Sequence, residues 1–207
     1  IDLDKIMNGE DETGYQLLMD DIDNMAQQLA RLRDAGVPVL WRPLHEASGG
    51  WFWWGNCDPE SYKKLWNVMY DKMTNEHNLT NLIWVWNGQD PDWYPGDDTV
   101  DLVGLDIYAG ERVDSSQSGA FADLVNNFDT ESKLIALTEN GCVMDPDKVM
   151  RDNSRWLFWG TWGSHFLEDS IIPIETYTTF ELLEKAYNHE RVLTLDELPD
   201  LKNYPLE

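Results

Sequence analysis

Cysteine is scarce in this sequence, which has 2 cysteines, Cys57 and Cys142, among 207 residues. Two cysteines are too few for the disulfide framework that stabilises small cysteine-rich domains. They form no CxxC pair, so a zinc site of that type is not expected. His77 and His165 show no metal-ligand spacing either, and we expect no metal site. The sequence leaves open whether the two cysteines pair with each other.

Long hydrophobic runs are missing, and basic residues are few. No apolar segment is long enough to cross a bilayer. Lysine and arginine total 15 against 39 aspartates and glutamates, which gives a formal net charge of −24 at pH 7. Such a chain repels nucleic-acid phosphates and anionic membranes, so we expect neither nucleic acid nor a membrane as a partner. A neutral partner fits this charge, as does a surface that only keeps the protein in solution.

Tryptophan, by contrast, is abundant, and the densest run lies in HEASGGWFWWG, residues 45–55. Tryptophan buries a large area in a core and also stacks on flat apolar faces of ligands. Those in glycine-rich loops are therefore candidates for a binding cleft. The 11 tryptophans are at positions 41, 51, 53, 54, 66, 84, 86, 93, 156, 159 and 162.

Hydrophobic spacing predicts helices that alternate with strands. Helical spacing covers residues 13–36, 58–78, 118–128 and 178–192, and short apolar runs predict strands within 37–46, 81–87, 100–109, 133–140 and 154–163. We expect residues 1–13 to form a loop. This alternation predicts an α/β fold with a parallel sheet, in one domain over residues 1–207.

Five strands are too few to close a (β/α)₈ barrel. The alternation alone fits either an open α/β sheet or the C-terminal part of such a barrel. An open-sheet enzyme that uses a nucleotide is the weaker reading, because the chain contains no GxGxxG segment and no P-loop.

Side chains alternate along a strand, so every second residue shares a face. On that basis Arg42, Leu44 and Glu46 share one face of their strand, and similar faces end in Tyr108, Glu139 and Trp162. We expect these four strand ends to meet at the carboxyl-terminal mouth of a barrel, where barrel enzymes keep their active sites. Arg42 and Asp106 would lie below as buried ionic groups, and each must be paired or hydrogen-bonded, because an isolated buried charge is very costly.

Two carboxylates at such a mouth suit glycoside hydrolysis, in which one protonates a leaving oxygen and the other captures an oxocarbenium-like centre. The motifs add a resemblance. RPLHEASGGWFWWG closely resembles the acid/base motif of glycoside hydrolase family 26. LTENG resembles its nucleophile segment, and WYPGDDTVDLVGLDIY resembles the stretch that ends in a tyrosine beside the nucleophile. The similarity covers roughly residues 36–165.

This resemblance implies a retaining endo-β-1,4-mannanase on a (β/α)₈ TIM barrel, with no cofactor, a polysaccharide substrate such as mannan, and a secreted or cell-surface location. It implies that Glu46 is the acid/base after strand 4 and Glu139 the nucleophile after strand 7. The implied substrate-binding residues are His45, Trp51, Tyr108 and Trp162. Arg42 and Asp106 are the expected supporting residues, on the basis of the strand alternation rather than the resemblance. The resemblance also implies an incomplete barrel, with strands 4 to 8 present and strands 1 to 3 missing, so that this chain alone could be inactive.

Two alternatives stay open at this point. The same family includes β-glucanases and xylanases, and the sequence does not separate mannan from mixed-linkage glucan or xylan. A non-catalytic carbohydrate-binding protein would also be rich in tryptophan, although it would not need two strand-end glutamates with a matching tyrosine.

Overall fold

A computed structural model describes residues 1–128, 133–168 and 172–200 of the chain. The α-helices in these ranges are α1 (Leu3–Met7), α2 (Glu12–Asp34), α3 (Pro59–Tyr70), α4 (Ser118–Asn127), α5 (Pro146–Arg151) and α6 (Phe180–Tyr187), and a π-helical turn (Asp71–Glu76) continues α3. The strands there are β1 (Val39–Trp41), β2 (Leu82–Trp86), β3 (Leu102–Ile107), β4 (Leu134–Asn140) and β5 (Trp159–Thr161). None of the helices in these three ranges is long and apolar enough to span a bilayer.

The four predicted helices and five predicted strands are confirmed, with shorter bounds for most of them. Helix α2 begins where the Asp11 side chain accepts the Gly14 N–H at 2.8 Å, an N-terminal cap, and it ends before Gly36, whose φ is +71°. The expectation that residues 1–13 form a loop is wrong. Helix α1 occupies residues 3–7, and its Leu3 and Ile6 are buried.

The strands lie in the order β1-β2-β3-β4-β5. Strands β1 and β2 are parallel, with Val39 opposite Leu82, and β2 and β3 are parallel, with Val85 opposite Leu102. Helices α3, α4 and α5 connect β1 to β2, β3 to β4 and β4 to β5. Parallel neighbours in chain order, joined by helices, are the arrangement of a partial (β/α) barrel. The numbering of these strands as 4 to 8 of eight stays a prediction.

The chain divides into two compact units, and the boundaries between them fall within β3, α4 and β4. Unit 1 comprises residues 1–106 and 124–138, and unit 2 comprises residues 107–123 and 139–207. The single domain predicted over residues 1–207 stays a prediction. The core of unit 1 is aromatic, because Trp66 packs edge-on against Trp84 at 5.5 Å between ring centroids. Most of the buried tryptophans serve this core: Trp66, Trp84, Trp86 and Trp93.

In unit 2, the predicted strand over 154–163 is shorter than expected. Only Trp159–Thr161 is extended, and buried Trp156 lies outside the strand. Its indole N–H donates to the Ser116 carbonyl at 3.0 Å, and its ring packs edge-on against Phe121. The predicted common face of Trp156, Phe158, Gly160 and Trp162 is therefore wrong, because only one of these residues lies on a strand.

The two cysteines are not paired with each other. Cys57 is half-buried and Cys142 is buried, and both are free thiols. Burial is the main cause that raises the pKa of the Cys57 thiol from 9.0 to about 11, and burial also raises the pKa of Cys142. Both thiols are therefore poor nucleophiles at neutral pH.

Candidate active site

Glu46 lies in a turn after β1 rather than on the strand itself. Strand β1 ends at Trp41, and both Leu44 and Glu46 have a left-handed backbone with φ +53°. The predicted shared face of Arg42, Leu44 and Glu46 is wrong, because that alternation needs an extended backbone. The Glu46 N–H instead donates to the Asn87 carbonyl at 2.8 Å, just after β2. The turn therefore fixes Glu46 at the carboxyl ends of β1 and β2.

Trp51 contacts Glu46 directly. Its indole N–H donates to Glu46 Oε2 at 3.1 Å, while 64% of the residue remains exposed. The loop reaches this geometry because of Gly49, where an added Cβ would lie 2.1 Å from Trp51 Cη2. An exposed indole face beside a carboxylate can stack on the C–H face of a sugar ring. The substrate-binding role that the resemblance implies for Trp51 stays a prediction.

The other aromatic rings of this loop pack it together. Phe52 and Trp54 stack at 4.4 Å, and the Trp54 indole N–H donates to the His45 carbonyl at 2.8 Å. The His45 ring lies 4.8 Å from the Phe52 ring. Gly55 allows the closure, since a Cβ there would meet the Ala47 carbonyl oxygen at 2.0 Å. Unit 1 thus holds His45, Glu46 and Trp51 in one closely packed loop.

Arg42 and Asp106, which were expected to be buried and either paired or hydrogen-bonded, form an ion pair with each other in unit 1. Arg42 Nη1 lies 3.0 Å from Asp106 Oδ2, and the Asp106 side chain is 0% exposed. The other oxygen of Asp106 accepts the Thr138 hydroxyl at 2.6 Å. A buried carboxylate needs such partners, because breaking a buried pair costs about 3–5 kcal/mol. Arg42 is only partly buried, so the prediction of two fully buried groups holds for Asp106 alone.

Three residues of this network were missed from the sequence: Asn87, Gln89 and Thr138. Asn87 accepts Arg42 Nη1 at 2.9 Å through its side-chain oxygen. Gln89 uses both ends of its side-chain amide, accepting the Asp106 N–H at 3.1 Å and donating to the Asp106 carbonyl at 3.0 Å. Asn87 and Thr138 carried a usable signal, since each is a polar residue at the end of a strand-forming apolar run. Gln89 had none, because its role depends on a left-handed φ of +75°.

Unit 2 holds the second carboxylate, Glu139. It is the penultimate residue of β4 and is only 6% exposed. The Tyr108 hydroxyl donates to Glu139 Oε2 at 2.5 Å, a short bond typical of a charged acceptor. Gly141 makes room for this arrangement, since a Cβ there would meet the Phe166 ring at 2.7 Å and the Tyr108 ring at 3.3 Å. The pairing of Tyr108 with Glu139 is as predicted.

Trp162 is linked to the same strand end through Asn140. The Trp162 N–H donates to the Asn140 carbonyl at 2.9 Å, and the Thr161 hydroxyl donates to the Asn140 side-chain oxygen at 3.2 Å. The Asn140 side-chain amide donates to the Cys142 carbonyl. Trp162 is 50% exposed, so its ring is open to a ligand. Unit 2 therefore brings Tyr108, Glu139 and Trp162 to one region.

Each unit, taken by itself, thus contains a carboxylate that accepts a hydrogen bond from an aromatic side chain. The donor is the Trp51 indole N–H for Glu46 and the Tyr108 hydroxyl for Glu139. Comparison with known proteins decides the family. The sequence profile described as glycosyl hydrolase family 26 matches residues 1–197. The chain belongs to glycosyl hydrolase family 26.

Family 26 relatives are similar along nearly the whole chain. It is 44% identical to a mannan endo-1,4-beta-mannosidase of Thermothelomyces thermophilus over 95% of this chain and 39% of that protein. It superimposes on the crystal structure of a Podospora anserina GH26-CBM35 β-(1,4)-mannanase with TM-score 0.88 and 43% identity, over 95% of this chain and 43% of that one. A β-mannanase from a symbiotic protist of the termite Reticulitermes speratus, complexed with gluco-manno-oligosaccharide, gives TM-score 0.86 and 38% identity over 96% of this chain and 59% of that one. The chain spans about 40% of the length of the Thermothelomyces relative.

Proposed function

We propose that this chain carries the catalytic residues of a retaining, endo-acting glycoside hydrolase that cleaves β-1,4-mannosidic linkages in mannan. The observation on which the proposal rests is buried Glu139 at the end of β4 with the Tyr108 hydroxyl 2.5 Å from its carboxylate. A buried carboxylate oriented by one short hydrogen bond suits a nucleophile, which must hold one geometry against the anomeric carbon. Its position at the carboxyl end of a strand is where barrel enzymes place catalytic groups.

Glu46 is proposed as the general acid and base. It lies in a glycine-containing turn, with the Trp51 indole N–H 3.1 Å from its carboxylate. Unlike Glu139 it is partly exposed, which suits a group that must exchange protons with a departing sugar and an incoming water. The exposed Trp51 ring supplies a stacking surface beside it for a pyranose.

The proposed reaction has two steps. Glu139 attacks the anomeric carbon while Glu46 protonates the glycosidic oxygen, so the C–O bond breaks and a glycosyl-enzyme ester forms. Glu46 then removes a proton from water, which attacks the same carbon and releases Glu139. Retention by this route requires the two carboxyl groups about 5–5.5 Å apart. Two inversions at one carbon give a product with the configuration of the substrate.

Mannan is the proposed substrate because the relatives are named as mannosidases and mannanases, and one of those structures holds a gluco-manno-oligosaccharide. A neutral polymer also suits a chain of net charge −24. Because a polysaccharide does not cross membranes, the proposed place of action is outside the cell or on its surface.

A non-catalytic carbohydrate-binding protein is the second candidate. The exposed rings of Trp51 and Trp162 favour it, since stacking platforms are all that such a protein needs. It does not account for a buried glutamate with a short phenol hydrogen bond, so we rank it below the hydrolase.

Replacement of Glu139 separates the two candidates. Glu139→Gln keeps the shape of the side chain and removes the nucleophile, so we expect reducing-sugar release from mannan to fall by about 10⁴-fold or more. Binding to insoluble mannan should persist. Glu10→Gln changes an exposed glutamate outside the site and serves as the matched control. The assay uses this chain and any longer polypeptide that contains it, with mixed-linkage glucan and xylan alongside mannan.

Two further measurements assign the roles. Azide should restore turnover to Glu139→Ala by attacking the vacated side of the anomeric carbon. Glu46→Ala should still cleave a dinitrophenyl mannoside, whose leaving group needs no proton. Proton NMR of the first product should show the substrate's anomeric configuration. Full hydrolysis by Glu139→Gln, or an inverted first product, contradicts the proposal, and polymer binding without turnover in every length of chain favours the binding protein.

A further inference from the structure

The triplet Asn78-Leu79-Thr80 matches the acceptor motif for N-linked glycans, which requires Asn-x-Ser/Thr with x other than proline. The proposed hydrolysis does not use it. It lies in unit 1, in the short connection between the π-helical turn that ends at Glu76 and β2, which begins at Leu82. A sequon is useful to a secreted protein only where it lies on the surface in irregular structure.

The two residues that define the acceptor motif lie on the surface, and the residue between them is buried in the core. Asn78 and Thr80 are exposed, whereas Leu79 is 1% exposed. Within the part of the chain that the structure describes, neither the Asn78 side-chain amide nor the Thr80 hydroxyl makes a hydrogen bond. A sugar attached at Asn78 Nδ2 would therefore break no side-chain hydrogen bond of the folded protein.

The backbone of the triplet is held independently of those side chains. Arg33 Nη1 on α2 donates to the His77 carbonyl at 2.7 Å and to the Asn78 carbonyl at 3.2 Å. The Thr80 N–H donates to the Asn78 carbonyl at 3.0 Å, across a turn in which Asn78 has a left-handed φ of +51°. Asparagine tolerates this conformation better than most residues. The turn is thus stable while the amide remains open to solvent.

Within unit 1, the triplet and Glu46 lie at opposite ends of β2. The triplet precedes Leu82, the first residue of β2, whereas the Glu46 N–H is bonded to the carbonyl of Asn87, just after Trp86. Five extended residues span roughly 16 Å. A glycan on Asn78 would therefore extend from the amino end of the strand, away from the turn that holds Glu46.

We propose that Asn78 is an N-glycosylation site of this protein in a eukaryotic secretory pathway. The donor is an oligosaccharide joined through a diphosphate to a membrane lipid. The Asn78 amide nitrogen forms a bond to the anomeric carbon of the first sugar, the bond from that carbon to the diphosphate oxygen breaks, and the amide loses one proton. The lipid diphosphate leaves with its electron pair, and nothing is oxidised or reduced. The site is independent of the hydrolase activity proposed above.

The test is secretion of the protein from yeast behind the leader of a host protein, followed by peptide mass spectrometry. We expect a glycan on the peptide that contains Asn78. Release by an amidase in heavy-oxygen water should convert Asn78 to a labelled aspartate and increase mobility on a gel. Asn78→Gln and Thr80→Ala should abolish the modification, and Thr80→Ser, which keeps the hydroxyl, should retain it.

A glycosylated host protein from the same culture shows that the pathway is working. Unmodified Asn78 in the secreted wild type, beside that modified host protein, overturns the proposal. A mass increase that survives both Thr80→Ala and Asn78→Gln also overturns it, since the sugar would then lie elsewhere. Loss of the glycan in Thr80→Ser contradicts the requirement for a hydroxyl at this position.

Discussion

The hydrogen bond from Tyr108 to Glu139 shows how one side chain can orient a neighbouring carboxylate. Glu139 is buried, and the Tyr108 hydroxyl donates to it at 2.5 Å. The Tyr108 ring is itself held at 5.4 Å from the Phe166 ring, so the phenol is positioned by packing as well as by its hydrogen bond. The phenol therefore holds one oxygen of the carboxylate in a defined position.

Removing only the hydroxyl tests this role. A hydrogen bond to a charged group contributes about 1.5–3 kcal/mol. If that bond orients Glu139 in the transition state, Tyr108→Phe should lower kcat on mannan roughly 10- to 160-fold with little change in KM. Steady-state kinetics on a defined manno-oligosaccharide measure both constants.

Tyr94 offers a matched control for that substitution. Its hydroxyl donates to the Asp97 carboxylate at 2.8 Å, and its ring packs edge-on against Trp86. Tyr94→Phe removes the same kind of bond far along the sequence from Glu139 and keeps the ring. We expect unchanged kcat. Equal losses in both variants would show that the effect of Tyr108→Phe is structural.

At the scale of elements, the strands were predictable because each is a short apolar run bounded by polar or turn residues. Runs such as LIWVW and LIALTEN can hardly avoid a buried sheet, and the structure places β2 and β4 there. The residues at the ends of these strands follow directly from the strand positions. The location of Glu139 at a strand end could be predicted from the position of β4 and the alternation of its side chains alone.

The other half of the site depends on backbone that alternation cannot describe. Leu44 and Glu46 have a left-handed backbone, so counting alternate residues through 42–46 fails, although the count selected the same glutamate that we propose as the acid and base. Trp156 looked like part of a strand because it is apolar, yet it is buried by contacts with Phe121 and Ser116, which are distant in sequence. A local sequence pattern shows that a residue is apolar, but tertiary contacts determine whether that residue is buried on a strand or in a loop.

Gly104 in the middle of β3 tests how tightly the strands are packed. An added Cβ would lie 2.5 Å from Thr138 Cγ2 and 2.7 Å from Thr138 Oγ1 on β4. That hydroxyl is bonded to Asp106, so it cannot move without breaking the bond. We expect Gly104→Ala to lower the free energy of unfolding by about 1–3 kcal/mol, measured as a lower urea midpoint.

Helix α4 provides the opposite case with the same chemical change. A Cβ at Gly119 meets nothing within 4 Å, and the residue is helical. Gly119→Ala should therefore raise the free energy of unfolding by up to about 1 kcal/mol. A Gly104→Ala protein as stable as Gly119→Ala would show that β3 and β4 tolerate a side chain between them.

At the scale of the whole molecule, charge is the dominant feature. The chain has 39 acidic and 15 basic residues, and its bases are largely engaged locally. Lys185, for example, bridges Asp145 and Asp147 at 2.7 Å each, and its hydrogen bond is the main cause that lowers the pKa of Asp147. The surplus of acidic over basic residues leaves a net charge of −24 that no cation of the chain balances. Long-range repulsion among the carboxylates opposes the compact state.

Salt should therefore stabilise this protein. Raising ionic strength from about 0.01 M to about 0.1 M shortens the Debye length from about 30 Å to about 10 Å. That change screens the repulsion between distant carboxylates, while the attraction within pairs in contact, such as Lys185 with Asp145, is weakened less. If this screening raises the free energy of unfolding by about 1 kcal/mol, the Tm at pH 7 should rise by about 2–4 °C in a scanning calorimeter. Repeating the scan on dilute protein near pH 4, where carboxylates are partly protonated, should reduce the rise. A Tm that falls with salt at pH 7 would mean that local ion pairs outweigh the surplus of negative charge.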